Sequence, residues 1–387
     1  MMPSASPEEL AGEVRRWLVA NAQQHDAGSV VAALRERGAV VGAGQLLDVM
    51  TVLRAELQGA GPLQDLLAAG GCTDVLVNGA AAVWVDDGEG LRQVASPFTD
   101  EAQVRRLAQR LASAAGRRLD DANPFCDARL ADGTRFHAAL DTVASPGTLV
   151  SLRLPAREQL SMSDLVELGS VPAPAVAWLR ALIAARATFL VSGGTGSGKT
   201  TMLGCLLRLV PPRERIVVLE DSAELRPEHP HVCSLEGRPP NIEGEGELRL
   251  VDLVRQAMRM RPDRLVVGEV RGAEVVAMLA AFNTGHDGGA GTIHASGPDR
   301  VPARIEALAL AAGLDRLAAH AQLAAGVDAV LHVERRGGVR RLAGIAELRR
   351  SGAGLTSAVE VLRFTVDGVE VVDPAAALVA RLAGHRC

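Results

Sequence analysis

An α/β fold built on a largely parallel sheet is what this 387-residue sequence predicts, and three observations carry the prediction. From about residue 164 onward, short apolar runs alternate with helical stretches: "ATFLVSG", "RIVVLED", "DRLVVGEV" and "GAGTIHA". Runs that are apolar at nearly every position suit strands covered on both faces, as in parallel sheets. The first of these runs leads into a glycine-rich turn and then a helical stretch. Upstream, from about 59 to 150, short strands closed by turns surround one amphipathic helix, the pattern of a smaller α+β module.

Taken in order, residues 1–58 read as a helical N-terminal extension. Leu10, Val14, Trp17 and Leu18 fall at helical spacing, as do Leu46, Val49, Met50 and Leu53. "GAGPLQDLLAAGG" is a Gly/Pro break opening an α+β domain over 59–150. There "CTDVLVNG" and "AVWVDDGEG" read as strands and "DEAQVRRLAQRLASAAG" as the helix. "ARLADGTRFHAAL" reads as a hairpin turning at Asp132-Gly133. Residues 151–163 read as a linker, 164–335 as the main α/β domain, and 336–387 as a small C-terminal extension of short strands.

Composition narrows the function. Aromatic residues make up 2% of the chain and tyrosine is missing, which argues against base-stacking platforms for single-stranded nucleic acid. A net charge of -5 leaves no global electrostatic footprint for nucleic acid, and no sequence-specific nucleic-acid binding is expected. The five cysteines are far apart with no C-x-x-C pair, so neither a zinc ribbon nor a disulfide framework is indicated. The N-terminus is acidic early and lacks a continuous apolar core, unlike a signal peptide. The most apolar stretch, "AVAWLRALIAARATFLVS", is broken by Arg180 and Arg186, short of the roughly 20 apolar residues a membrane span needs. These features predict a cytoplasmic protein whose membrane association, where it occurs, is peripheral.

The chain has 41 basic residues, and its only lysine is Lys199. It sits in "GGTGSGKTT", Gly193 through Thr201, which matches G-x-x-x-x-G-K-[ST] between an apolar strand and a helix. Gly193, Gly194, Thr195, Gly196, Ser197 and Gly198 would let backbone N–H groups converge on phosphate oxygens, with the helix N-terminus adding its dipole. Lys199 would reach the β- and γ-phosphates as a compact charge, which the wider, fork-shaped guanidinium does not imitate. Thr200 would ligate Mg2+. A nucleotide hydrolase of this type also needs a carboxylate at the end of a second strand. Two strands offer one: Glu220-Asp221 with Glu224 beyond, and Glu269. Spacing does not decide between them. His286 and His294 flank a glycine run but lack H-E-x-x-H and a third ligand, so they suit a γ-phosphate better than zinc.

Four motifs in this order resemble those of the type II/type IV secretion ATPases, and most nearly the CpaF-like ATPase of tight-adherence (Tad) pilus systems. They are "GGTGSGKT", the acidic box "VLEDSAEL", the atypical Walker B segment "LVRQAMRMRPDRLVVGEVRG" and the histidine box "TGHDGGAGTIHA". The likeness extends over about residues 60 to 335. It implies a RecA-like P-loop motor domain, ATP and Mg2+ as substrate and cofactor, and a homo-hexameric ring. The ring would work at the inner face of the cell membrane with integral inner-membrane platform proteins, powering pilus assembly or secretion. It further implies that Glu269 is the general base and that Glu220, Asp221 and Glu224 form the acidic box supporting metal and water. His286 and His294 would sense the γ-phosphate. Family members place N-terminal-domain arginines over the nucleotide, and Arg129, Arg135 and Arg153 occupy matching stretches, with Arg271 after the Walker B glutamate. Two other readings stay open: a DNA-transfer motor of the same fold, and a low-turnover ATP-gated regulator. An ABC subunit is disfavoured, because no L-S-G-G-Q stretch follows the loop.

Overall fold

A computed structural model describes residues 14, 17, 27–36, 59–88, 90–155, 159–238, 240, 245–285, 287–365 and 368–386. The expected helices of residues 1–58 lie mostly outside these; α1 (Ala27–Glu36) falls within them. The chain divides into two compact units, Met1–Ala156 and Arg157–Cys387.

In the first unit, α2 (Gln64–Ala68) is followed by β1 (Asp74–Asn78), β2 (Val83–Asp86) and β3 (Leu91–Val94). Then come α3 (Glu101–Ala114), β4 (Phe125–Arg129), β5 (Arg135–Ala139) and β6 (Leu149–Arg153). The strands form one antiparallel sheet in the order β3-β2-β1-β6-β5-β4. Alternation sets its core face: Val75 and Val77 of β1, Phe136 and Ala138 of β5, and Val150 and Leu152 of β6 are buried. The apolar stripe of α3, Val104, Leu107, Ala108 and Leu111, joins the same cluster. Asp100 caps this helix, accepting a hydrogen bond from Gln103 N. The hairpin turns at Asp132 and Gly133 as the sequence predicts, with Gly133 at φ 91°. Residues 151–153 differ from expectation: instead of opening a linker they complete β6, because Leu152 is needed in this core.

The second unit opens with α4 (Met162–Glu167) and α5 (Ala175–Ala184). Its parallel strands are β7 (Phe189–Gly193), β8 (Ile216–Glu220), β9 (Val232–Glu236), β10 (Arg264–Val270), β11 (Ala290–His294) and β12 (Ala329–Arg336). Between them lie α6 (Lys199–Leu207), α7 (Leu250–Ala257), α8 (Glu274–Phe282), α9 (Val301–Ala311) and α10 (Arg316–Gly326). Strands β13 (Val339–Arg350), β14 (Thr356–Thr365) and β15 (Gly368–Val371) add an antiparallel edge, and α11 (Ala377–Ala383) ends the unit. The nine strands run β15-β14-β13-β12-β7-β11-β10-β8-β9.

The four apolar runs singled out in the sequence are four neighbouring parallel strands, β7, β11, β10 and β8. Successive residues feed opposite faces. Phe189 and Val191 enter one core with α5 and α6, while Leu190 enters the other with α8 and α10. Each leucine or valine so buried contributes roughly 1.5–3 kcal/mol, which is why the runs carry no alternating polar residue.

Candidate active site

The phosphate loop leaves β7 at Gly193, and backbone sterics fix its residues. A Cβ at Gly193 would run into Val333 O and lie 2.5 Å from Ser197 Oγ. Gly196 (φ 68°) and Gly198 (φ 94°) take left-handed conformations that L side chains rarely adopt. Gly194, Thr195 and Gly196 are exposed, whereas Ser197 and Lys199 are buried. The Lys199 ammonium folds back to donate to Gly194 O at 2.8 Å, and Ser197 Oγ donates to the same carbonyl at 2.9 Å. Burial pulls the Lys199 pKa below its ordinary value, and the charges of Glu269 and Glu224 oppose that shift. A desolvated cation beside open glycine backbone suits an incoming anion. Thr200 is half-buried and Thr201 exposed in the first turn of α6.

Three of the other predicted residues stand at the last or next-to-last position of neighbouring strands. Because the sheet runs β7-β11-β10-β8, Gly193, His294, Glu269 and Glu220 follow one another along its carboxyl edge. Open α/β sheets bind ligands at this edge.

The two carboxylates that spacing could not rank sit in different surroundings. Glu220 is buried, its oxygens accepting from the backbone N–H groups of Glu224 and Leu225 at 3.1–3.2 Å. It lies against β10, where a Cβ at Gly268 would overlap Glu220 Cγ. Glu269 is 41% exposed, and its Oε1 lies 2.9 Å from His294 Nε2. The imidazole's pKa is lowered first by burial and then by the charge of Lys199, while Glu269 pulls it back up. A half-exposed carboxylate with an imidazole partner can accept a proton from water, whereas one held by backbone donors serves better as a fixed charge.

Asp221 is exposed and takes two hydrogen bonds on Oδ2 from Arg271, at 2.6 and 2.9 Å. Glu224 is exposed and bears on Lys199 through its charge. Thr200, Glu220 and Asp221 offer hard oxygen donors, the chemistry Mg2+ takes together with phosphate and water. His286 lies outside the described residues.

The N-terminal arginines are brought together, but in the other unit. Arg129, Arg135 and Arg153 are direct partners across β4, β5 and β6, and Asp74 of β1 continues the row beside Arg153. Residues paired this way share a face. Arg153 Nε donates to Asp74 Oδ1 at 2.8 Å.

Sequence reasoning missed Arg340. Its Nε donates to Gly196 O at 3.0 Å, so a residue of β13 touches the phosphate loop. One arginine among so many gives no sequence signal.

Residues 56–338 match the family model described as "Type II/IV secretion system protein". The chain belongs to this family. Among curated proteins it is similar to a putative conjugal transfer protein of Mycobacterium tuberculosis, 54% identical over 319 residues, covering 81% of this chain and 91% of that protein. The type IV secretion system protein PtlH of Bordetella pertussis is 32% identical over 293 residues, covering 68% of this chain and 86% of its own. Among solved structures, the pilus retraction motor PilT with bound ADP aligns with a TM-score of 0.53 at 20% identity, covering 76% of this chain and 84% of that one. That likeness shows the fold, which is RecA-like. The resemblance read from four motifs therefore holds at the level of the type II/IV secretion family.

Proposed function

We propose that this secretion-family chain is a Mg2+-dependent ATPase that acts as a homo-hexameric ring at the cytoplasmic face of the membrane. Its partners there are integral inner-membrane platform proteins, and its output is pilus assembly or protein secretion. One observation carries the hydrolytic reading. The phosphate loop, His294, Glu269 and Glu220 stand on four successive strand ends.

In this reading the backbone N–H groups of residues 194–200 and the Lys199 ammonium bind and orient the phosphates. Glu269 takes the proton of the attacking water, and His294 holds that carboxylate and senses the γ-phosphate. Glu220, fixed by backbone donors, keeps a negative charge at the end of β8, and Arg271 restrains Asp221. Mg2+ would be held by Thr200 and, through water, by Glu220 and Asp221, and would neutralise charge on the phosphates. Arg135 and Arg153 are assigned to nucleotide affinity. Binding energy and electrostatic positioning, rather than covalent chemistry, carry the step.

Steady-state phosphate release tests the base. Glu269→Gln should still bind ATP while its turnover falls on the order of 10²–10⁴-fold, the usual contribution of a positioned base. Unchanged turnover would move that role to Glu220.

The names of two relatives favour a second reading, in which the cargo is DNA. The mycobacterial relative is called a putative conjugal transfer protein, and TrbB of Rhizobium radiobacter, 31% identical, a conjugal transfer protein. DNA-stimulated phosphate release would support it, and no stimulation would favour the pilus or protein-secretion reading.

A further inference from the structure

Strand β12 runs parallel to β7 with Val333 opposite Gly193. Residues 334–336 of β12 and 339–341 of β13 therefore continue past the point where β7 gives way to the phosphate loop. The hairpin closes at Gly337 (φ 58°) and Gly338 (φ 84°), the left-handed pair that a tight two-residue turn requires. On it stand Arg335, Arg336, Arg340 and Arg341, and none of the four forms an ion pair with a carboxylate among the described residues. Arg335 and Arg340 are direct cross-strand partners, so two like charges face one another. That placement costs stability.

Arg340 explains where the charge is aimed. Its Nε is bound to Gly196 O, and its Cδ and Cβ lie 3.4 and 3.9 Å from the place a Cβ on Gly198 would occupy. Gly196 and Gly198 flank the backbone N–H groups that such a loop turns on phosphate. The guanidinium thus rests on the loop, with no partner for its terminal Nη groups among the described residues.

We propose that Arg340, backed by Arg335, is a nucleotide-contact residue supplied in cis by this hairpin. Its Nη groups take phosphate oxygens of a bound nucleoside di- or triphosphate. Arginine suits the position because Nε can stay on the loop while the remaining fork meets the anion. The arriving phosphates also offset the repulsion between Arg335 and Arg340. This inference rests on the loop being an ATP site.

Titration calorimetry of the full chain with Mg-ADP separates the proposal from a purely structural staple. Arg340→Gln keeps an N–H able to reach Gly196 O but removes the charge. Arg340→Lys keeps the charge without the fork. The proposal expects Arg340→Gln to weaken ADP binding about tenfold, the scale of one charge-assisted hydrogen bond. Arg340→Lys should recover part of that loss, with far-UV circular dichroism unchanged in both. ADP binding by Arg340→Gln equal to wild type would overturn the proposal. Lys199→Ala, measured alongside, keeps the two readings apart. Wild-type affinity in Lys199→Ala would sink the ATP site itself, whereas its loss together with an unaffected Arg340→Gln would sink only the hairpin contact.

Discussion

The carboxyl edge of the nine-stranded sheet and the arginine row of the six-stranded sheet both gather charge, by opposite means. In the parallel sheet the strands are buried on both faces, so charged residues of β7, β8 and β11 are confined to their ends or beyond. His294, Glu269 and Glu220 become neighbours because their strands are neighbours. In the antiparallel sheet one face stays polar, and Arg129, Arg135 and Arg153 become neighbours only through the register of β4, β5 and β6. The first arrangement is spelled by local sequence, and the second is hidden until the strands pair. The first also depends on glycines for close approach, so it should break under a smaller insult.

Gly268→Ala tests that dependence and should have a large effect, second only to that of Glu269→Gln. The new methyl cannot coexist with Glu220 Cγ, so the carboxylate must leave the Glu224 and Leu225 N–H groups or β8 and β10 must part. Either movement misplaces a charge at the carboxyl edge of the sheet, and on the proposed function kcat should fall on the order of 10²-fold. Stability should drop by about 1–3 kcal/mol, the usual cost of overpacking. Gly204→Ala in α6, where the nearest atom is Leu225 Cδ2 at 3.8 Å, is the control. It should raise stability by about 1 kcal/mol or less, as alanine does within a helix. Equal kcat for Gly268→Ala and wild type would show that Glu220 is not held where catalysis needs it.

The next effect is electrostatic. His294 has its folded pKa lowered, by burial first and then by Lys199, so near neutral pH the ring is uncharged. Below the ordinary histidine value of about 6.5 the unfolded chain binds the proton more readily than the folded one. Stability therefore falls as pH drops from that value toward the folded pKa, and this contribution is constant above it. An NMR titration of the His294 ring should give a midpoint below that of a histidine in an unstructured peptide. Because Glu269 raises this pKa, Glu269→Gln should lower the midpoint further, and Lys199→Ala should raise it. An unmoved midpoint in both variants would mean that the strand-end groups are not electrically coupled.

How much of this was legible in the sequence follows from the same contrast. The phosphate loop, both acidic strand ends and His294 could be read because glycine and charge stand out against apolar runs. Spacing could not rank Glu220 and Glu269, which only the family resemblance did, since the ranking depends on which carboxylate meets backbone N–H groups. Edge strand β9, "VCSLE", was missed because it is only half-buried and lacks a continuous apolar signal. The C-terminal strands were legible as strands, but not their attachment to the nine-stranded sheet through β12, because pairing between distant segments leaves no local trace. Arg340 was invisible for that reason and because arginine is the common cation of this chain.

The smallest effect belongs to the arginine row. Arg153 is exposed and its pair with Asp74 is half in water, so Arg153→Ala should change stability by about 1 kcal/mol or less. If the row serves nucleotide affinity, the same variant should raise the KM for ATP several-fold while kcat changes little. A charge that binds ground state and transition state alike gives that split. Asp74→Ala sharpens the comparison: it breaks the same ion pair but leaves the cation in place, so it should match Arg153→Ala in stability and leave KM near wild type. Equal KM values in the two variants would assign the row to the fold of its own sheet, and the carboxyl edge of the larger sheet would then act on the nucleotide without it.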